Sequence, residues 1–138
     1  MKRSEWADAW YQQALHDFQA ARVLHRQGFW DSCVYMCEQA AEKALKGLWT
    51  DLKPEEPPPR THRVNDLAEE LGAPQDVVDA ASGLAGDYAT SRYPGPSPVP
   101  PFRQYRDSEA LRGIARAQMV FDWAAEQWEI DSDEEEAD

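Results

Sequence analysis

Arg92 is the side chain whose type and position best suit recognition of a phosphate or a carboxylate. It falls on the apolar line of a predicted helix and directly precedes Tyr93 and Pro94. A guanidinium stays charged at neutral pH and offers a planar fork to an anion, while a neighbouring ring can stack on a base. The structural alternative is a cation that offsets the helix dipole or pairs with a buried acid.

Other polar side chains stand in places that call for a partner. Asp17 interrupts an apolar stripe, so we expect its carboxylate to pair with a base from another helix, either Arg92 or Lys46. His62 could carry a proton because its free pKa is near neutrality, with capping or packing as the structural alternative. The predicted nucleotide- or phosphate-binding residues are therefore Arg92, Tyr93, Asp17, Lys46, His62 and Arg106.

Arg106 belongs to a basic segment between residues 103 and 116. The segment contains Arg103, Arg106, Arg112 and Arg116, and only Asp107 and Glu109 oppose them. Because Phe102 and Tyr105 lie among these arginines, the segment could contact RNA or a nucleotide phosphate. The alternative is a solvated helix face, which the acidic character of the rest of the chain favours.

The sequence predicts neither a metal site nor a cofactor. Cys33 and Cys37 are four residues apart on one predicted helix, with no third or fourth ligand evident, which favours core packing. His62 has no cysteine or acid cluster of metal-binding spacing beside it. A glycine-rich phosphate loop, a nucleophile elbow and a catalytic pair of carboxylates are also absent, so we assign no catalytic residue.

Composition and charge exclude several classes of protein. Of the 138 residues, 26 are acidic and 14 basic, which gives a net charge of -12. General DNA binding would require a basic surface, so no DNA partner is expected. The chain has no apolar run long enough to span a membrane and no secretory signal, and its two cysteines suggest no disulfide framework. We therefore expect a cytoplasmic protein with no membrane partner.

Apolar periodicity predicts an all-α fold, an up-and-down four-helix bundle with one extra short helix. The helical segments are 4–28, 31–52, 62–71 and 74–92, followed by a long helix that begins at Asp107 or Ser108. Segments 53–60 and 93–106 are rich in proline and are expected to be irregular. Residues 1–130 form the predicted bundle, and the acidic tail, residues 131–138, is expected to be disordered.

Two patterns indicate which side chains lie inside and which meet a partner. The predicted buried face of the last helix contains Leu111, Ile114, Gln118, Phe121, Ala125 and Trp128. Large aromatic residues lie at the edges of the other stripes, where they mark either a subunit interface or partly exposed packing. These residues are Trp6, Trp30, Tyr35 and Trp49.

Four motifs occur in an order that resembles the HEPN domain, named for higher eukaryotes and prokaryotes nucleotide-binding. They are a Trp–Ala–Asp stripe in the first helix, EQAAEKALK in the second, Thr61-His62 after the linker, and Arg92-Tyr93-Pro94. The resemblance covers roughly residues 6–128. It implies an all-α homodimer that often accompanies a minimal nucleotidyltransferase, and some members of the family are ribonucleases, including toxins of toxin–antitoxin pairs.

The ribonuclease signature of that family, an Arg followed four to six residues later by His, is missing here. Arg22 precedes His25 by three residues, and the pair Asp87 and Arg92 has the spacing but not the residue types. We therefore expect a non-catalytic HEPN dimer that binds a nucleotidyltransferase partner and a nucleotide or RNA. The alternatives are a metal-independent, toxin-type ribonuclease with a degenerate site, and an interaction protein without a ligand.

Overall fold

The computed structural model describes the backbone of residues 1–137 and the side chains as far as Glu129, and within this part all regular structure is helical. The helices in chain order are α1 (Glu5–Arg26), α2 (Trp30–Leu52), α3 (Val64–Glu70), α4 (Gln75–Thr90), α5 (Pro101–Gln104) and α6 (Asp107–Ala137). The predicted all-α bundle is confirmed, with α1, α2, α4 and α6 as its four longer helices. Among the described residues, no helix has the length and apolar character needed to cross a membrane.

Disorder was predicted for residues 131–138. Their side chains and the whole of the last residue lie outside the described residues, so this expectation stays a prediction.

Helices α1 and α2 form the antiparallel hairpin that their short connection predicts. The Ser4 hydroxyl accepts a hydrogen bond from the backbone N–H of Ala7 at 3.1 Å and caps α1. Gly28, with a φ of 82°, ends the helix in a conformation that side chains disfavour. The two helices approach closely at Gly47, where an added Cβ would lie 3.0 Å from the Ala7 carbonyl oxygen and from Trp10 Cβ.

The buried face of α6 agrees with the predicted one at Phe121 and Trp128 but not at Leu111. Leu111 is 49% exposed, whereas the fully buried positions of the helix include the small residues Ala110, Ala117 and Ala124. Small side chains let α6 pack close to α2, and a Cβ on Gly113 would lie only 3.5 Å from Val34 Cγ2. Close packing of small residues therefore outweighs the larger apolar positions in fixing the rotation of this helix.

The segment 93–106 contains a short helix, α5, where the sequence analysis predicted irregular structure. Proline is tolerated there because it lies in the first turn, where its missing N–H costs no helical hydrogen bond. Behind α5, the Tyr105 hydroxyl donates to Asp87 Oδ1 at 2.8 Å and lies 2.7 Å from Thr90 Oγ1. These bonds hold the segment against the end of α4 and so help position Arg92.

The linker after α2 folds back along that helix before α3 begins. Trp49 Nε1 donates to the carbonyl of Glu56 at 3.2 Å. The indole is buried, so Trp49 belongs to the core rather than to an exposed interface, whereas Trp6 is 78% exposed. Helix α3 is shorter than predicted, and its buried face consists of Val64, Leu67 and Ala68. The returning linker brings His62 beside the middle of α2.

Candidate functional site

Three tyrosine rings surround the guanidinium of Arg92 just beyond the end of α4. Its central carbon lies 4.4 Å from the ring centroid of Tyr88, 4.7 Å from that of Tyr35 and 4.9 Å from that of Tyr93. Arg92 Nε donates to the Tyr88 carbonyl at 3.2 Å, which fixes the side chain against the helix. We call Arg92, Tyr35, Tyr88 and Tyr93 the arginine–tyrosine cluster.

Arg92 has no ion pair with any carboxylate among the described residues. The predicted pairing with Asp17 is therefore wrong. The face of a phenol ring attracts a cation but cannot neutralise it, so the guanidinium keeps its full charge. A permanently charged fork among aromatic rings is suited to bind a phosphate or a carboxylate.

Next to this cluster, His62 lies in a second group of polar side chains. Its ring stacks on Tyr88, with centroids 4.0 Å apart and an interplanar angle of 14°. Its Nδ1 lies 2.7 Å from Glu42 Oε1. The imidazole side chain is 50% exposed, whereas the Glu42 side chain is only 6% exposed. A buried carboxylate thus orients a solvent-accessible imidazole, and Tyr88 connects that imidazole to Arg92.

Glu38 completes this second group one helical turn before Glu42. It is fully buried, and its Oε1 has no hydrogen-bond partner, whereas Oε2 accepts a hydrogen bond from Gln39 Nε2 at 2.8 Å. Burial raises the pKa of Glu38 to about 8, and the nearby charge of Glu42 acts in the same direction. We call Glu38, Glu42 and His62 the carboxylate–histidine cluster.

Lys46 forms a buried ion pair with Glu42 of this second cluster rather than an ion pair exposed to solvent. Its Nζ donates to Glu42 Oε2 at 3.2 Å, and both side chains are buried. The four-residue spacing of Glu42 and Lys46 predicts an exposed ion pair on α2, and that prediction is wrong because both side chains are buried. The sequence also predicts no acid cluster beside His62, whereas the structure places two buried carboxylates there.

Asp17 has the partner that its burial requires, but not one of the two predicted. Lys43 Nζ donates to Asp17 Oδ2, and Gln13 Nε2 donates to Oδ1 at 3.0 Å. The expectation of a base from another helix was therefore right, and its identification as Arg92 or Lys46 was wrong. Since both carboxylate oxygens are bonded within the protein, Asp17 serves the packing of α1 on α2.

The remaining candidates lie outside both clusters. The Arg106 side chain is exposed, and none of its described contacts reaches Arg92 or His62. Arg103 and Arg112 are also exposed. Cys33 and Cys37 are fully buried in the core as free thiols, which confirms the predicted packing role.

The model of the HEPN domain family matches residues 7–128, which is most of the chain. The chain belongs to the HEPN domain family. The resemblance seen in the four sequence motifs is thereby confirmed, and the fold agrees with it.

Solved structures with the same fold come from several organisms. TT1696 from Thermus thermophilus has a TM-score of 0.81 and 30% sequence identity over 89% of this chain and 98% of its own. ST0689, described as an archaeal HEPN homologue, has a TM-score of 0.76 and 29% identity over 93% of this chain and 99% of its own.

TM0613, a HEPN domain protein from Thermotoga maritima, has a TM-score of 0.68 and 23% sequence identity over 86% of this chain and 96% of its own. This likeness shows that the two proteins share the fold. No curated protein matches this HEPN chain.

The residues that the sequence analysis missed are Glu38, Glu42, Tyr35 and Tyr88. A signal for the two carboxylates is present in the sequence, because Glu38 and Glu42 are four residues apart on α2 and must point the same way. No comparable pattern links either residue to His62, since that contact depends on the path of the linker.

Proposed function

We propose that this HEPN-domain protein binds a nucleotide, or another ligand with a terminal phosphate, at the arginine–tyrosine cluster, and does not cleave it. The observation that carries the proposal is the position of the Arg92 guanidinium among three tyrosine rings, without a carboxylate partner in the part of the chain whose side chains are described. The guanidinium would take the phosphate through paired N–H donors. Tyr93 is 58% exposed, and its ring could stack on the base.

The proposal includes a helical homodimer that accompanies a minimal nucleotidyltransferase. Its support is family membership together with large apolar side chains at the surface, among them Trp6 at 78% and Phe29 at 59% exposure. Exposed aromatic residues are enriched at the centres of protein interfaces. Light scattering of the purified protein tests this part of the proposal, because a homodimer has twice the 15.7 kDa mass of the chain.

Ligand binding can be tested by thermal denaturation with ATP, GTP, AMP and inorganic phosphate in the presence of EDTA. A ligand that binds only the folded state must raise the melting temperature. We expect at least one nucleotide to do so for the wild type, and Arg92→Gln to abolish the shift. Arg103→Gln is the matched control, because Arg103 also lies over an aromatic ring, Phe102 at 5.3 Å, but has no described contact with the cluster.

Two results would contradict this proposal. One is the absence of any shift at millimolar nucleotide. The other is an equal shift in Arg92→Gln and the wild type.

A metal-independent ribonuclease is the second candidate function, and the position of His62 favours it. Glu42 orients the imidazole at 2.7 Å, and Tyr88 lies between that imidazole and Arg92, so a general acid–base group and a phosphate-binding group are neighbours. Cleavage of single-stranded RNA in EDTA, lost in His62→Gln and in Arg92→Gln, would establish this function. Intact RNA after prolonged incubation would support the non-catalytic proposal.

A further inference from the structure

The carboxylate–histidine cluster has an arrangement that its own hydrogen bonds do not explain. A ligand atom from each of Glu38, Glu42 and His62 lies within 4.8 Å of the others. Glu38 Oε1 is buried without a hydrogen-bond partner, although leaving a buried polar atom unsatisfied destabilises the folded state. A group that binds this oxygen would remove that destabilisation.

The two carboxylates are held in a similar way. In each, the oxygen Oε2 accepts a hydrogen bond from another residue of α2: Gln39 for Glu38 and Lys46 for Glu42. Each therefore has Oε1 left for the cluster, and Glu42 Oε1 already faces His62 Nδ1 at 2.7 Å. Outer hydrogen bonds that fix the ligand side chains are a regular feature of protein metal sites.

We propose that Glu38 Oε1, Glu42 Oε1 and His62 Nδ1 bind one divalent transition-metal ion. Two carboxylate oxygens and one imidazole nitrogen suit Zn²⁺ or Mn²⁺, whereas Mg²⁺ and Ca²⁺ favour sites made of oxygen alone. The ion would replace the hydrogen bond between Glu42 and His62. Three protein ligands leave at least one position open to water, as in catalytic rather than structural zinc sites.

The surroundings of the cluster are compatible with a cation of charge +2. Lys46 donates a hydrogen bond to Glu42 of the cluster. The charge of Lys43 also acts on Glu38, but Lys43 forms its ion pair with Asp17. Because the pKa of Glu38 is raised to about 8, binding of the ion would displace the proton that Glu38 retains at neutral pH. The two ionised carboxylates against Lys46 would then present a net charge of about -1 to the ion. The imidazole side chain is 50% exposed, which gives an ion a route from solvent. This site stands independently of phosphate binding at Arg92.

The test is calorimetric titration of the EDTA-treated, dialysed full chain with ZnCl₂ and with MnCl₂, without nucleotide. We expect one ion per chain with Glu38 and His62 intact, and a loss of affinity of about tenfold or more in Glu38→Gln and in His62→Gln. The matched control is His25→Gln, since His25 forms an equivalent 2.7 Å pair with Asp107 but has no third ligand among the described residues. Its affinity should equal that of the wild type.

The acidic tail, with six carboxylates among residues 131–138, could collect divalent ions on its own. Because the tail is present in every variant, only the difference between wild type and Glu38→Gln reports the cluster. Equal affinities in these two proteins, or no binding at all, would overturn the proposal.

A second measurement does not depend on the folding of any variant. Substoichiometric Mn²⁺ should broaden the NMR signals of the His62 and Tyr88 rings before those of His25 and His16. Broadening that begins elsewhere and spares His62 would also overturn the proposal.

Discussion

The imidazole of His62 lies almost parallel to the phenol ring of Tyr88, with 4.0 Å between the ring centroids. This contact joins the linker that follows α2 to the last turns of α4. Tyr88 also lies beneath the guanidinium of Arg92, at 4.4 Å. One aromatic ring therefore belongs to the surroundings of both clusters, and its removal should affect both.

The stacking contact should contribute a measurable coupling between the two rings. We expect the double-mutant cycle of His62→Gln and Tyr88→Leu, in EDTA, to give a coupling free energy of about 0.5–1.5 kcal/mol. Urea denaturation of the wild type, the two single variants and the double variant supplies the four values. Strict additivity would mean that the rings touch without stabilising each other.

Breaking the ion pair between Asp17 and Lys43 should destabilise the protein, because it leaves a buried charge without its partner. Lys43→Met leaves the Asp17 carboxylate with Gln13 alone, so we expect a loss of about 1–3 kcal/mol in the free energy of unfolding. The double variant Asp17→Leu with Lys43→Met should lose less than the two single changes combined, because it removes the stranded charge as well. If denaturation curves give Lys43→Met the same free energy of unfolding as the wild type, this prediction is wrong.

Two helical glycines should respond in opposite directions to alanine. A Cβ at position 47 would lie 3.0 Å from the Ala7 carbonyl oxygen, a backbone atom that cannot move freely, so Gly47→Ala should destabilise the protein by about 1–3 kcal/mol. At Gly86 nothing lies within 4 Å, so Gly86→Ala should stabilise α4 by about 0.5–1 kcal/mol. Thermal denaturation of both variants provides the check, and a shift of the same sign in both would refute it.

Asp87 should make stability depend on pH. Burial raises its pKa above the 3.8 of a free side chain, although the Tyr105 hydroxyl bond opposes that rise. Between these two pKa values Asp87 is protonated in the folded state and ionised in the unfolded state. Its contribution to stability is therefore full below pH 3.8 and falls as the pH rises through the pKa of the folded state. We expect Asp87→Asn to remove that fall, as followed by urea denaturation at a series of pH values.

Tyr105→Phe provides a second variant for the same prediction. It removes the hydrogen bond that favours the ionised carboxylate, so the fall in stability should extend to higher pH than in the wild type. A pH profile unchanged in both variants would show that Asp87 does not control it.

Residue types and spacing were sufficient to predict the helices other than α5, and several of their ends. Ser4 can cap a helix through its own hydroxyl, and Gly28 and Gly72 adopt a φ of 82° that other residues avoid. These are local effects, so they can be deduced from a few neighbouring residues. The order of the motifs was likewise enough to indicate the HEPN family.

The rotation of the helices and the membership of the clusters were decided by tertiary packing. Periodicity relates positions within one helix, but it does not show which side of the helix packs against a neighbour. Leu111 was therefore predicted to be buried and Lys46 to be exposed, and the structure shows the opposite for both. His62 reaches Glu42 only because the linker folds back along α2. That path is set by packing among distant segments, which no local pattern of the chain encodes.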